Sequence, residues 1–184
     1  PPPALKHTYK PATDWDLSGV EHLCYAAWAE VVDYLCWLGR HLTESRARRT
    51  LIVAAVQAAK AHTTGLLSIL LHGTTQVPGL VDMDHVTVYG MGQDLSRQSL
   101  LVGFNLAGIE SADGCARYGA EQLRLHAPGH DPFFAAMLKQ LGISSFIRLS
   151  GSHYNTPDEI ERFLKVTASF AASGAPSTVL SATH

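Results

Sequence analysis

Arg148, His126 and His130 are the side chains of this sequence whose types and setting could handle an organic acid. Arg148 falls inside Phe146-Ile147-Arg148-Leu149-Ser150, a run that reads as a short strand. Phe146 and Arg148 then share one face, and Ile147 and Leu149 share the other. A guanidinium is planar and always charged, and it can grip a carboxylate with two parallel hydrogen bonds. His126 and His130 stand four residues apart, a metal-ligand spacing on a helix, but Pro128-Gly129 between them breaks any such helix. The sequence therefore carries no metal site. The loop Pro128 to Asp131 is expected to line the entrance to the acid site, and His130 beside Asp131 could move protons at its rim. His126 and His130 are candidate substrate contacts, whereas no residue declares itself a catalyst.

Arg148 needs a rigid exit from its strand, and Gly151-Ser152-His153-Tyr154-Asn155-Thr156-Pro157-Asp158-Glu159-Ile160 supplies one. Asn155 makes the turn, Thr156 caps the next helix and Pro157 fits its first position. Glu159, three residues beyond Thr156, closes a capping box. His153 and Tyr154 are read as parts of this turn that pack and hydrogen-bond.

The elements upstream follow from periodicity. Ser18 can cap a first helix, with Glu21 three positions later. Cys24, Trp28, Val31, Val32, Leu35 and Leu38 recur along it at helical spacing as one apolar stripe, until Gly39 ends it. A second helix is expected from Glu44 to Leu71, burying Ile52, Val56, Ala59, Leu66, Leu67 and Leu70 and stopping at Gly73. Strands are expected at His85 to Tyr89, around Leu100, Val102 and Phe104, at Leu123 to His126 and at Ser145 to Ser150. Short helices fall at Asp113 to Gln122 and from Asp131 to Leu141, and a last one carries Ile160, Phe163 and Leu164. The order predicts an α+β domain in which two long N-terminal helices precede a small, largely antiparallel four-stranded sheet covered by helices on one face. Residues 1–16 read as an extended linker or truncated start, 17–170 as the folded domain and 171–184 as a disordered tail.

Composition narrows the partners. The chain has 184 residues, 46% of them apolar, enough for a core of its own. Its net charge is −2 with basic residues scattered, so no footprint for nucleic acid is present. Cys24, Cys36 and Cys115 are odd in number, and the first two lie roughly 18 Å apart along one helix, too far to bridge. No apolar run approaches the roughly 20 residues that span a bilayer, and the chain opens without a signal-peptide pattern. No membrane partner is expected, and a reducing cytoplasm is the expected compartment.

The string from Arg148 to Ile160 resembles the C-terminal "R-x-S-x-x-H-Y-N-T-x-x-E-I" signature of class V aminotransferase-like enzymes. These are pyridoxal-phosphate proteins of fold type I that include cysteine desulfurases, kynureninases and isopenicillin N epimerases. Arg97 to Phe104 resembles the family's "R-x-P-x-x-S-F" strand with its proline and serine replaced. Asp33-Tyr34-Leu35 with Leu38-Gly39 is similar to the family's "Y-L-x-x-L-G" helix end, and Leu123 to His126 to its "G-I-x-v-R/H" strand. The resemblance implies that residues 17–170 are the small domain of such an enzyme and that Arg148 holds the substrate's α-carboxylate. Thr13, in Lys10-Pro11-Ala12-Thr13-Asp14-Trp15, matches a threonine that reaches the cofactor phosphate of a neighbouring protomer, although Ala12 replaces the family's glycine.

The resemblance also marks what is missing. The family keeps its Schiff-base lysine, its pyridinium aspartate and its phosphate cup in a large domain, and none of Lys6, Lys10, Lys60, Lys139 or Lys165 sits in an "H-K" segment. This chain alone is expected to bind no pyridoxal phosphate, although the intact family enzyme would. A desulfurase carries a nucleophilic cysteine on the loop before the signature. Ala127-Pro128-Gly129-His130-Asp131 has none, and Cys115 belongs to a helix. Three readings stand. The chain is the substrate-binding C-terminal domain of a class V enzyme with epimerase, C–S lyase or transaminase-like chemistry, working as a homodimer or with a large-domain partner. Alternatively it is a free-standing, cofactor-independent domain that binds or rearranges a carboxylate-bearing small molecule. Or it is a structural partner that dimerises through the helix of Trp28 and Trp37.

Overall fold

A computed structural model describes residues 22–92, 94–128 and 132–173. Thr13, Ser18, Glu21, Lys6, Lys10, Gly129, His130 and Asp131, the 1–16 segment and everything after Ser173 lie outside the described residues. The chain forms two compact units, Pro1–Gln57 and Ala58–His184.

The first unit holds α1 (His22–Arg40) and the opening turns of α2 (Arg48–His72). Arg48 Nη2 reaches Asp33 Oδ1 at 3.0 Å, with both side chains largely in solvent, so the pair contributes little. The apolar stripe on α1 is open at its start: Trp28 is 69% exposed, and Cys24 and Val31 are exposed too. Val32, Leu35 and Leu38 are half-buried, while Cys36, outside the stripe, is buried. On α2 the expected Leu66, Leu67 and Leu70 are buried, with Leu71, in the second unit; in the first unit Leu51 and Ala55 are buried, while Ile52 is half-buried and Val56 exposed.

The second unit is an α+β body on a three-stranded antiparallel sheet, β1 (Val86–Tyr89), β2 (Leu101–Leu106) and β3 (Ile147–Ser150), in that spatial order. Val102, Phe104, Leu106, Ile147 and Leu149 alternate onto one face and are buried. They meet Leu66, Leu67, Leu70 and Leu71 of α2, Tyr118 of α3 (Ser111–Ala120) and Ile160, Phe163 and Leu164 of α5 (Pro157–Ser173). At the centre Tyr118 stacks on Phe163 at 5.3 Å, and Phe104 meets the two edge-on at 6.2 and 5.9 Å. α3 lies close on the sheet because Gly114 has no side chain: a Cβ there would come within 2.6 Å of Ile147 Cδ1.

Two expectations are corrected. Among the described residues the sheet has three strands, not four. Leu123 to His126 is reduced to one bridge, His126 to Arg148, made by His126 N–H to Arg148 O at 3.2 Å and Arg148 N–H to His126 O at 2.7 Å. Pro128, the next hydrogen-bonding position of that ladder, has no N–H to give, so the pairing cannot extend past His126 on that side. Nor are the helices confined to one face. α4 (Pro132–Leu141) lies on the opposite one, where Phe134 meets Phe146 edge-on at 6.1 Å. Among the described residues no helix is long and apolar enough to cross a membrane.

Candidate functional site

Alternation along β3 puts Arg148 on the face away from the core, and strand pairing then sets its neighbours. Gly103 of β2 is its register partner, Tyr89 of β1 is the partner of Gly103, and His126 bridges Arg148 from the far side. Partners opposite each other in a sheet present side chains on one face. Tyr89, Gly103, Arg148 and His126 therefore form a row across it, with neighbouring strands roughly 5 Å apart.

The middle of that row is a hollow. Tyr89, Gly103, Arg148, Leu101, Phe146 and α4's Phe134, Met137 and Leu141 line a cavity of about 220 Å³. Its walls are mostly apolar, and Arg148 is the charged group in them. Arg148 is half-buried, its Nε is shut off from solvent without a hydrogen-bond partner, and no carboxylate among the described residues pairs with it. A buried donor left unmade costs on the order of 1–3 kcal/mol, more when charged, so this guanidinium is set to receive an acceptor. A carboxylate answers it best, through two parallel bonds.

The turn behind β3 holds this geometry. Gly151 N–H donates to Leu100 O at 2.8 Å, and Ser152 N–H to Asn155 Oδ1 at 2.8 Å. The capping box forms as expected: Glu159 N–H donates to Thr156 Oγ1 at 3.3 Å, and Thr156 N–H to Glu159 Oε2 at 2.8 Å. Asn155 Nδ2 also donates to Glu159 Oε2. These bonds, that from Thr156 N–H first, hold the Glu159 carboxyl below its ordinary pKa. His62 Nε2 lies 2.8 Å from Asn155 O, tying the turn to α2. His153 Nδ1 lies 3.2 Å from Ser152 Oγ, and the Tyr154 ring is exposed.

The structure brings His126 next to Arg148 with its side chain exposed. It also adds Tyr89, Gly103, Phe134 and Met137, which sequence reasoning missed. The signal for Gly103 was present, since a glycine inside a strand often marks a close approach. The partnership of α4 with the outer sheet face had no local signal. Cys115 lies on α3, half-buried; burial first and the charge of Glu110 second push its thiol pKa up, against a nucleophilic role. Among the described residues no group of three or more His, Cys, Asp or Glu side chains could hold a metal ion.

The architecture is similar to part of two solved structures. Over 68% of its length the chain superposes on 29% of the apo cysteine desulfurase from Thermococcus onnurineus NA1, with a TM-score of 0.57 and 24% identity. Over 72% of its length it superposes on 32% of the cysteine desulfurase CsdA from Escherichia coli, in its S-sulfonic acid form, with a TM-score of 0.51 and 15% identity. The fold is shared with cysteine desulfurases. The chain spans about a third of the length of these two enzymes, and at such identities the likeness concerns fold alone. No protein-family model matches the sequence, and no curated protein does.

Proposed function

We propose that this chain is the small, substrate-orienting domain of a class V, pyridoxal-phosphate-dependent enzyme acting on an amino acid, by epimerase, C–S lyase or transaminase-like chemistry. One observation carries the reading: a guanidinium with a buried, unpartnered Nε opens onto a cavity, on a fold shared with cysteine desulfurases. Arg148 binds the substrate's α-carboxylate, and His126 beside it contacts the substrate at the edge of the row. His130 at the entrance and Thr13 toward a neighbouring protomer's cofactor phosphate complete the proposed site.

The described residues do not by themselves fit the cofactor. Lys60 Nζ donates to Gln98 O, Lys165 pairs with Glu161 at 3.6 Å and Lys139 is exposed on α4; none lines the Arg148 cavity. The cofactor's electron-sink chemistry therefore comes from a large domain, and what these residues contribute is binding and orientation. The exposed apolar residues of α1, with Trp28 69% and Trp37 52% accessible, support a covering partner, either a second copy or that large domain. The three free cysteines fit a cytoplasmic setting.

Arg148→Lys tests the carboxylate role. Because lysine cannot make the paired bonds, binding of a carboxylic acid should weaken by about tenfold or more while the domain stays folded. Unchanged affinity rejects the role. A second measurement concerns the cofactor: the chain mixed with pyridoxal phosphate and treated with borohydride should trap no lysine adduct, and a trapped lysine would overturn the division of labour.

A further inference from the structure

We propose that the cavity beside Arg148 selects acids with one carboxylate and an apolar side chain, aromatic or branched aliphatic, and turns away dicarboxylates. The inference rests on the reading of Arg148 as the carboxylate's partner and adds the substrate class to it. The cavity holds about 220 Å³, below the roughly 300–1,000 Å³ of sites for drug-sized ligands, so a molecule of amino-acid size fits. Leu101, Phe134, Met137, Leu141 and Phe146 form its walls, and among the described residues no second basic side chain lines it. A ligand carboxylate placed on Arg148 points the rest of the molecule along those walls. A second carboxylate would be desolvated there with no counter-charge, which costs far more than apolar contact returns.

Tyr89 refines the choice. Its hydroxyl accepts a hydrogen bond from Asn105 Nδ2 at 3.3 Å, so its own hydrogen is free to point at a ligand oxygen. Two roles thus separate by position: Arg148 and the Tyr89 hydroxyl handle the acid group, and α4 with Phe146 handles the side chain. The width between them comes from Gly103, which puts no atoms into the row.

The test titrates the isotopically labelled chain with 3-phenylpropionate, 4-methylpentanoate and glutarate, following the Arg148 Nε–H and Met137 methyl resonances. The two apolar acids should bind about tenfold or more tightly than glutarate and move the Arg148 signal downfield, since apolar pockets discriminate by roughly 10- to 200-fold per group. Met137 is 38% exposed and tolerates a charge, so Met137→Lys should reverse the order in favour of glutarate. Equal or reversed affinities in the parent chain, with Arg148 still responding, overturn the selection and leave the carboxylate reading standing. An Arg148 signal that ignores all three acids overturns both.

Discussion

Arg148 stands opposite Gly103 across the β2–β3 ladder, and the two line one cavity. The absence of a side chain at Gly103 keeps that cavity open, and little slack remains, because a Cβ there would lie 3.1 Å from Phe146 Cδ2. Gly103→Val should fill the slot, displace the Phe146 ring and weaken acid binding by about tenfold or more. Valine favours strands, so the fold should persist. Calorimetric titration with 3-phenylpropionate, beside a circular-dichroism melt, reads both quantities. An unchanged affinity in a folded Gly103→Val protein sinks the claim that this slot is the binding site.

The capping box makes the turn behind Arg148 measurable. Thr156→Ala removes the oxygen that accepts from Glu159 N–H, and it should cost about 1 kcal/mol. Denaturant unfolding checks this; a loss too small to measure would show that the box does not fix the turn.

Glu159 adds a pH dependence to the same turn. Bonds from Thr156 N–H and then from Asn155 favour its charged form, so its folded pKa lies below the unfolded one. Its stabilisation is complete above the unfolded value and fades as pH falls through the folded value. Glu159→Gln should therefore melt below the parent at neutral pH and converge with it in acid, below the folded value. A gap of equal size at both pH values would argue against the ionic contribution.

Much of the fold is written locally, and the parts that are not share a cause. The β3–turn–α5 segment was legible because each of its determinants, from Phe146 to Glu159, lies within a few residues of the next. Gly73 at the end of α2 was equally legible and takes φ +73°. The missing fourth strand was not, because pairing is settled by a distant segment, and of Leu123 to His126 only His126 meets β3. Tyr118 was missed as a core residue because its partners, Phe104, Phe163 and Phe170, come from distant segments. The acid site was half legible. Arg148 carried a type and a motif, whereas Tyr89 and Met137 owe their place to strand pairing and to α4's position on the outer face.

The end of α3 invites a stabilising change. Gln122 adopts φ +58°, and around it Leu123 N–H bonds to Tyr118 O while Gln122 N–H bonds to Gly119 O. This left-handed helix stop favours glycine. A left-handed non-glycine residue costs roughly 1–2 kcal/mol, and glycine's extra unfolded-state freedom takes back part of that, so Gln122→Gly should stabilise by about 0.5–1 kcal/mol. A shift of the denaturant midpoint to lower concentration would refute the strain.

The buried Tyr118–Thr167 pair yields an asymmetric prediction. Tyr118 Oη lies 2.8 Å from Thr167 Oγ1, and Thr167 Oγ1 donates its single hydrogen to Phe163 O at 2.8 Å. Tyr118 must then be the donor of the pair. Burial, ahead of every other influence, raises the Tyr118 pKa, so the phenol keeps its proton across the range in which the protein is handled. Tyr118→Phe leaves Thr167 still bonded to Phe163 O and should cost about 1 kcal/mol. Thr167→Val preserves shape but strands the Tyr118 hydroxyl in the core, and it should cost more, about 1–3 kcal/mol. Paired denaturant melts of the two variants decide the point: a costlier Tyr118→Phe would mean that the proton runs the other way.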